Sequence, residues 1–330
     1  MKYLKIKSGH IIVAAFSLLI AFVMITGLWA VLISMHGPLE NEKVFKVEKG
    51  QGVSVIAAKL SENHVISSAF LFKVSATMMF ADKGLQAGVY KFEKDITLRD
   101  VIKMMARGHT ASYKVTIPEG LRSSEVLAIL KGLPHVTGDF SAVKLHETDL
   151  LLAETYMYSY DEDIQLIVTR MQKAMEKALE KAWAMRDADL PINNKEELLI
   201  LASMVEKETS LDSERAEVAG VFVNRLNKNM RLQSDPTVIY GLKNYDGNIT
   251  RKDLRTSHAY NTYTNNGLPK GPIAHPGAAS LFAAAKPNKT DNIYFVADMT
   301  GGHVFAKTHD EHKINVTNYL KKYRELILDK

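Results

Sequence analysis

The longest hydrophobic stretch of the chain lies near the N-terminus, from Ile11 to Met35, and carries no charged residue. A helix of this length is long enough to cross the roughly 30 Å hydrocarbon core of a bilayer. We therefore predict a single transmembrane helix at residues 11–35. The run is preceded by Lys2, Lys5 and Lys7, and the next charged residue is Glu40. Basic flanks favour the cytoplasmic side, so we predict a cytoplasmic tail at residues 1–10 and an extracytoplasmic remainder.

A cleaved signal peptide is the alternative reading of the same stretch. The apolar run is longer than a usual signal core, and no small-x-small cleavage site follows it. The pattern favours an uncleaved anchor in the cytoplasmic (inner) membrane, with the larger part of the chain outside.

After a short linker at residues 36–42, the periodicity predicts a small α/β subdomain over residues 43–112. Polar and apolar residues alternate from Val44 to Glu48, as in a half-buried strand, and apolar residues then recur at helical spacing from Val53 to Leu60. A second helix at Ser68–Phe80, a strand at Gly88–Phe92 and a helix capped by Thr97 complete the unit.

Residues 113–330 read as a larger mixed α/β domain, so the predicted fold class is α+β. Two strands form a predicted hairpin near the end of the domain, at 293–297 and 303–306. The predicted helices begin with one capped by Ser123 or Ser124 and continue at Ile164–Met185, Glu196–Thr209, Glu214–Asn227 and Glu311–Ile327.

The helix EELLILASMVEKET, Glu196 to Thr209, is apolar over its middle and ends in charged residues. It therefore reads as a helix buried on nearly all sides. Glu206 continues one line of small and apolar side chains, and Glu208 continues another. Desolvation and the negative end of the helix dipole disfavour ionisation there, as a general acid requires. The alternative is that these charges only solvate the helix end.

Polar and aromatic loops follow this helix. One contains Gln233, Ser234 and Asp235 before Pro236, and the other contains Tyr260, Asn261 and Thr262 before a loop rich in glycine and proline at 267–277. Amides, hydroxyls and aromatic faces suit acetamido sugars, which offer donors, acceptors and an apolar face. We predict substrate contacts from these six residues and Glu208. Asp235 is equally compatible with a turn or a helix cap.

Five stretches of the chain, in order, resemble the endolytic murein transglycosylases of the MltG (YceG-like) family. They are LASMVEKET at 201–209, VFVNRL at 221–226, RLQSDPTVIYG at 231–241, AYNTYTNNGLPKGPIAHPG at 259–277 and YFVADMTGGHVFAKT at 294–308. One segment departs from the family. Relatives tend to have a Glu-Gly dipeptide before a Pro-Asp-Thr-Tyr run, whereas this chain has HETDLLLAETY at 146–156, and we assign that segment no role.

The resemblance implies cleavage of peptidoglycan glycan strands, inside the strand, at the β-1,4 bond between N-acetylmuramic acid and N-acetylglucosamine. It implies 1,6-anhydromuramyl ends, termination of nascent strands and peptidoglycan synthases as partners. It also implies that Glu206 is the catalytic residue, acting first as acid and then as base, and that residues 43–112 form a LysM-like glycan-binding unit. A spacer without glycan affinity is the alternative for that unit.

The composition excludes several other classes of function. The net charge of +5 is mild and spread along the chain, which argues against nucleic acid as a partner. The chain has no cysteine, and the spacing of His303, His309 and His312 fits no common ligand set, so we predict no metal and no cofactor. Two alternatives stay open, namely a lysozyme-like hydrolase with Glu208 or Asp235 as second carboxylate, and a non-enzymatic wall-binding scaffold.

Overall fold

The computed structural model describes residues 8–80, 84–143, 145 and 151–328. The lysines of the predicted cytoplasmic tail, and the first five residues of the 146–156 segment, lie outside the described residues. The chain divides into two compact units, residues 1–113 and 114–330, which are described separately below.

Helix α1, Ser8–Ser34, begins the first unit. Residues 12–34 are long and apolar enough to cross a membrane, and very little of this segment is buried by the rest of the chain. Its C-terminal end is different, because Ile33 lies in the core of the first unit and Trp29 packs against that core. The Trp29 indole Nε1 donates a hydrogen bond to Ser75 Oγ at 2.9 Å. Helix α1 is therefore joined directly to the folded unit that follows it.

The remainder of the first unit is ordered strand, helix, helix, strand, helix. These elements are β1 (Lys43–Val47), α2 (Val53–Glu62), α3 (Ala69–Phe80), β2 (Gly88–Phe92) and α4 (Leu98–Arg107). Strands β1 and β2 pair antiparallel, with Phe45 opposite Tyr90. The side chains of Phe45, Phe72 and Phe92 fill the core between this strand pair and the helices. Thr97 caps α4 by accepting a hydrogen bond from the Asp100 N–H, which confirms the predicted cap.

The second unit is mostly helical, with short strand pairs. Its strands are β3 (Ser112–Thr116), β4 (Val136–Thr137), β5 (Thr155–Ser159), β6 (Glu162–Asp163), β7 (Tyr294–Ala297) and β8 (His303–Ala306), which pair as β3 with β5, β4 with β6 and β7 with β8. Its helices are α5 (Ser123–Lys131), α6 (Ile164–Met185), α7 (Lys195–Glu208), α8 (Asp212–Asn227), α9 (Asp235–Gly241), α10 (Arg251–Arg255), α11 (Ala278–Ala285) and α12 (His309–Leu328). The mixed α/β class and the β7–β8 hairpin are confirmed.

Helix α7 is the centre of this unit. Every residue from Leu198 to Val205 is buried, and α6, α8 and α11 pack around the helix. The polar residue in the run, Ser203, is satisfied within the fold. Its hydroxyl donates to the Ile200 carbonyl at 2.7 Å and accepts from the Ile273 N–H at 3.0 Å. The predicted buried helix is confirmed, and the chain after it must leave the core at Thr209.

Two details of the predicted helices are wrong. Helix α5 begins at Ser123, but its N-cap is Arg122. The Ser123 hydroxyl instead contacts Nε2 of His275 at 3.0 Å, and the Glu125 carboxylate accepts from the Arg122 N–H. Helix α8 begins at Asp212, two residues before the prediction, because an acidic first turn is favourable at the positive end of a helix dipole.

Candidate active site

The last turn of α7 presents two carboxylates, Glu206 and Glu208, in different directions. Residues two apart on an α-helix are rotated by about 200°, so the two side chains reach opposite sides of the helix end. Their surroundings share few residues, and each carboxylate is described with its own contacts.

Glu206 belongs to a buried cluster of charged residues. Its side chain is 5% exposed, and Oε1 lies 3.5 Å from Nη2 of Arg215, a buried guanidinium on α8. Its other oxygen, Oε2, accepts a hydrogen bond from the Gly277 N–H at 2.9 Å. Both contacts stabilise a negative charge on this carboxylate. The cluster also ties α7 to α8 and to the loop that ends at α11.

A second glutamate, Glu119, shares the Arg215 guanidinium. Glu119 Oε2 accepts from the same Nη2 at 3.4 Å, while Nε of Arg215 donates to Ser280 and Nη1 pairs with Asp212. Burial and the nearby negative charge of Glu206 raise the pKa of the Glu119 carboxyl, and Arg215 acts against this. Arg215 is therefore the cation that lets several carboxylates lie together.

Glu208 lies in a different environment. Burial raises the pKa of the Glu208 carboxyl to about 7, and the negative charge of Asp235 adds to the shift. The hydrogen bond from Ser234 Oγ to Glu208 Oε1, at 2.5 Å, and the charges of His303 and Arg225 act in the opposite direction. A carboxyl with this pKa is partly protonated at neutral pH, as general-acid catalysis requires.

Glu208 also borders a cavity of about 500 Å³, a size typical of small-molecule sites. The residues around the cavity include polar, aromatic and imidazole side chains: Glu208, Arg225, Gln233, Asp235, Tyr263, Tyr294, Phe295, His303, His309 and His312. Tyr294 and His312 stack with ring centroids 4.9 Å apart. Flat rings beside carboxylates and amides form a surface of the kind that binds sugars.

Asp235 and Tyr263 form a hydrogen-bonded pair at this cavity. The Tyr263 hydroxyl donates to Asp235 Oδ1 at 2.5 Å. Burial, followed by this hydrogen bond, raises the pKa of the Tyr263 phenol. Asp235 is the first residue of α9 and is followed by Pro236, so it starts a helix while its carboxylate stays exposed toward the cavity.

The structure divides the predicted substrate residues into two groups. Glu208, Gln233 and Asp235 border the cavity, and Ser234 contacts Glu208 directly. Gln233 adopts a left-handed backbone with φ of 51°, and its N–H donates to the Thr262 carbonyl.

The other three predicted residues support the loops around the cavity. Thr262 is buried, and its hydroxyl accepts from the Ser234 N–H at 3.0 Å. The buried Asn261 amide donates to three carbonyls, of Asp253, Leu254 and Thr256. The ring of Tyr260 packs edge-on against Tyr240.

Sequence reasoning did not select Arg225, Tyr263 or Tyr294, and it considered the histidines only as metal ligands. Arg225, Tyr263, Tyr294 and His303 lie inside the stretches VFVNRL, AYNTY and YFVADMTGGHVF, and His309 and His312 follow the last of them. Their approach to Glu208 depends on long-range packing. The Arg225 guanidinium, for example, donates to the carbonyls of Leu232 and Ile293, which fixes it at the cavity.

The YceG-like family model matches residues 45–318, which is most of the chain and includes every residue of this site. The chain belongs to the YceG-like family. This confirms the family indicated by the five sequence stretches.

Individual relatives agree with the family match. The endolytic murein transglycosylase of Bacillus subtilis (strain 168) is 31% identical, over 88% of this chain and 90% of the relative. The endolytic murein transglycosylase of Streptococcus pneumoniae serotype 2 (strain D39) is 28% identical over 83% of this chain, which spans 58% of that longer relative. A crystal structure of a YceG-like protein from Listeria monocytogenes is 30% identical, covering 83% of this chain and 98% of that one, with a TM-score of 0.47.

Proposed function

We propose that this member of the YceG-like family is an endolytic murein transglycosylase, an enzyme that cleaves the glycan strands of peptidoglycan. The names of the bacterial relatives support this activity. The observation that carries the chemical part of the proposal is Glu208, a carboxyl with a pKa of about 7 on the wall of a 500 Å³ cavity. Such a group can hold a proton at neutral pH and release it to a leaving oxygen.

In the proposed reaction, the protonated Glu208 carboxyl donates its proton to the glycosidic oxygen as the bond to the muramyl C1 breaks. The oxocarbenium-like centre is then attacked by the C6 hydroxyl of the same sugar. The C6 hydroxyl loses its proton to the Glu208 carboxylate, which restores the starting acid and leaves a 1,6-anhydro ring. The nucleophile belongs to the substrate, so the reaction needs no attacking water and no second carboxylate.

The sequence alone pointed to Glu206 for this role, and that assignment stays a prediction. The geometry supports Glu208 instead. Both carboxylate oxygens of Glu206 are already engaged inside the fold, one by the Arg215 guanidinium and one by the Gly277 N–H, whereas an acid must reach the glycosidic oxygen of a substrate. In this proposal Glu206 has a structural function, because it fixes the end of α7 to the loop before α11.

The neighbours of Glu208 suit acetamido sugars. Gln233 offers an amide and Asp235 a carboxylate at the cavity. Nδ1 of His312 is buried and, within the described part of the chain, has no hydrogen-bond partner. Burial lowers the pKa of His312, so its imidazole is neutral at pH 7 and can bond to a sugar hydroxyl or amide. Ser234 contacts Glu208, Thr262 holds the backbone of Ser234, and Asn261 holds its own loop. Tyr260 packs against Tyr240.

The proposal extends to the whole chain. Helix α1 anchors the enzyme as a single span in the cytoplasmic membrane, with the N-terminus inside and residues 36–330 outside. The strand, helix, helix, strand order of the first unit supports a LysM-like subdomain at 43–112 that binds the glycan backbone, ahead of a catalytic domain at 113–330. An enzyme held at the membrane meets strands as they emerge, so it can terminate nascent glycan beside a peptidoglycan synthase.

A lysozyme-like hydrolase is the second candidate, because Asp235 lies at the same cavity as Glu208. A hydrolase uses a second carboxylate as nucleophile or as base for a water. The Tyr263 hydroxyl already donates a hydrogen bond to Oδ1 of Asp235, which leaves that oxygen less available to a water or to the sugar and favours the transglycosylase. The products separate the two reactions, since an anhydro end is lighter than a reducing end by one water.

The test is digestion of purified sacculi by the full-length chain in detergent, with products identified by mass spectrometry. Glu208→Gln should lower the rate on the order of 10²- to 10⁴-fold. Glu206→Gln should retain most of the activity of the folded protein. Glu196→Gln, an exposed glutamate in the first turn of the same helix, is the matched control and should be unaffected.

Each result has a distinct meaning. Anhydromuramyl products that depend on Glu208 support the proposal. Loss of activity in folded Glu206→Gln, with Glu208→Gln active, would return the catalytic role to Glu206. Reducing ends would identify a hydrolase, and intact sacculi with the wild-type chain would favour a wall-binding scaffold.

A further inference from the structure

Helix α3 in the first unit is apolar on both of its faces. One face, with Phe72 and Ala76, is buried in the core of the unit. The opposite face exposes Phe70 and Met78, which are 75% and 65% exposed. They are eight positions apart, a rotation of about 80°, so both lie on one broad face of the helix with the half-buried Val74 between them. An apolar stripe of this kind on a twelve-residue helix needs a partner that covers it.

Helix α3 lies directly beside the end of the anchor helix α1. The hydrogen bond from Trp29 Nε1 to Ser75 Oγ joins the two helices. One turn later, Ile33 is 1% exposed and belongs to the same core as Phe72. The last turns of α1 are thus part of the folded unit, and they set the level of α3 relative to the membrane.

With α1 as the anchor, the end that carries Trp29 and Ile33 is the end that leaves the bilayer on the outer side. About 20 helical residues cross the hydrocarbon core, and α1 has 27, so a span that begins near the start of the helix is complete before its last turns. The side of these turns that faces away from the unit is still apolar and exposed, with Leu28, Val31, Leu32 and Met35. Tryptophan is enriched at this depth, where its ring lies among the headgroups.

We propose that α3 is an interfacial helix that lies on the outer surface of the membrane, with Phe70 and Met78 inserted among the lipids. The inference rests on the proposal that α1 is a membrane anchor. The partner is a lipid surface, because the Trp29–Ser75 hydrogen bond joins α3 to the end of the anchor, whose own outer side is apolar and exposed there. An exposed apolar helix face beside a membrane anchor is a place where lipid can cover it. The first unit would then contact the membrane at two places, the anchor helix α1 and the exposed face of α3.

The sequence has no cysteine, so single-cysteine variants can carry one fluorescent label each. Phe70→Cys and Met78→Cys report on α3, and Ile20→Cys reports on the anchor. Lys49→Cys lies after β1, at the end opposite the linker from α1, and is the matched soluble control. Each full-length variant is labelled with a nitrobenzoxadiazole dye and reconstituted in vesicles of phosphatidylethanolamine and phosphatidylglycerol. The vesicles also contain lipid that carries a doxyl quencher near the headgroup end of its acyl chain.

The expected result is quenching of the labels at positions 20, 70 and 78, at least several-fold stronger than at position 49. Quenching at 20 without quenching at 70 and 78 would overturn the interfacial role of α3 and leave the anchor standing. An unquenched label at 20 would overturn the anchor and this inference together. The labels at 70 and 78 could instead escape lipid quenching while their emission shifts to the blue as the protein density in the vesicles rises. That result would identify a second copy of the chain as the partner of α3 and would overturn the proposal.

A second set of variants tests the two apolar side chains themselves. The label is placed at Thr77→Cys, an exposed position on α3, with or without Phe70→Asn and Met78→Asn. Loss of the two side chains should at least halve the lipid quenching at 77 and leave the quenching at 20 unchanged. Equal quenching at 77 in both backgrounds would show that Phe70 and Met78 do not hold the helix at the membrane.

Discussion

At the scale of single residues, two glutamates separated by one lysine have opposite environments. Glu206 has a buried guanidinium and a backbone N–H as partners, one at each carboxylate oxygen. Glu208 is buried against a serine hydroxyl and beside Asp235, and its pKa rises to about 7. The helix dipole and the desolvation of the helix end act on both residues. The difference comes from the side chains that α8 and α9 bring to each of them.

The raised pKa of Glu208 predicts a pH dependence of stability. Between about pH 4.5 and 7 the folded chain binds a proton at Glu208 that the unfolded chain releases, so the free energy of unfolding falls as pH rises. Glu208→Gln removes this proton. We expect the variant to gain stability relative to wild type through this window, reaching roughly 1–3 kcal/mol above pH 7. Thermal unfolding of both proteins from pH 4 to 8 measures the difference.

Glu196→Gln is the control for this substitution, since it removes an exposed carboxylate from the first turn of the same helix and should give no gain in stability as the pH rises. A constant difference between Glu208→Gln and wild type across the range would contradict a raised pKa at Glu208.

Tyr263 offers a second prediction at this scale. Tyr263→Phe keeps the ring and removes the donor to Asp235, and a hydrogen bond to a charged group contributes about 1.5–3 kcal/mol. We expect roughly a tenfold loss of kcat/KM on glycan strands, because Asp235 is no longer held at the cavity. Tyr245→Phe, at an exposed tyrosine, should behave as wild type. Unchanged kinetics of Tyr263→Phe would remove the Asp235–Tyr263 pair from the site.

Sequence reasoning predicted part of this site for identifiable reasons. Gln233 and Asp235 were selected by residue type and by the proline that follows, and both border the cavity. Asn261 has the same chemistry, yet its amide is used by three backbone carbonyls. Residue type alone cannot separate a polar side chain that faces a ligand from one that holds a loop, because the choice depends on contacts distant in sequence.

At the scale of elements, Arg215 connects helices α7 and α8 through Glu206. Removing one partner of a buried ion pair costs about 3–5 kcal/mol, because the other charge stays buried. We therefore expect Arg215→Met to lower the free energy of unfolding by that amount. Combining it with Glu206→Gln should cost clearly less than the sum of the single changes, since Glu206 is then no longer a buried charge without its cation. Urea unfolding of the four proteins measures this coupling, and strict additivity would contradict a direct interaction.

The loop that ends at α11 approaches the same cluster closely at Gly277. A Cβ at this position would lie 1.6 Å from Glu119 Oε1, so Gly277→Ala must push Glu119 away from Arg215. We expect a loss of about 1 kcal/mol, in the range for overpacking. The double variant with Glu119→Ala should show no added cost from the alanine at 277, because the clash is gone.

Gly52 is a matched control for this prediction. Like Gly277 it precedes a helix with extended backbone angles, φ of −72° against −78°, but a Cβ there meets open space. Gly52→Ala therefore carries only the cost of alanine at an N-cap, without a clash, and should destabilise the protein less than Gly277→Ala does. An equal cost at both positions would mean that the helix cap, rather than contact with Glu119, determines the effect.

The elements themselves followed from local patterns where those patterns were strong. Helix α6 was predicted with its observed bounds, Ile164–Met185, because its apolar residues keep helical spacing after the capping Asp163. Strands β4 and β6 contain two residues each and pair in parallel, and so short a run has no periodicity to detect. Their pairing depends on the turn before α6, which the sequence pattern does not specify.

At the scale of the whole molecule, the chain combines a long apolar helix with two folded units. The helix was predicted from length and charge alone, since hydrophobicity over more than 20 residues is a strong signal. The packing of its last turns into the first unit was not predicted, because the hydrophobic run gives no indication of where lipid contact ends and protein contact begins. In the structure, contact with the folded unit begins at Trp29 and Ile33.

The proposed orientation gives the last prediction. With the N-terminus inside, both Glu40, just after the span, and Asp310, in the last helix, lie outside the cytoplasmic membrane. Both are exposed, and the chain has no cysteine of its own. A membrane-impermeant maleimide added to spheroplasts should therefore label Glu40→Cys and Asp310→Cys as fully as it does after the membrane is permeabilised. The unsubstituted chain should stay unlabelled. Labelling that requires permeabilisation would place both folded units in the cytoplasm, away from peptidoglycan, and would contradict the orientation and the proposed substrate together.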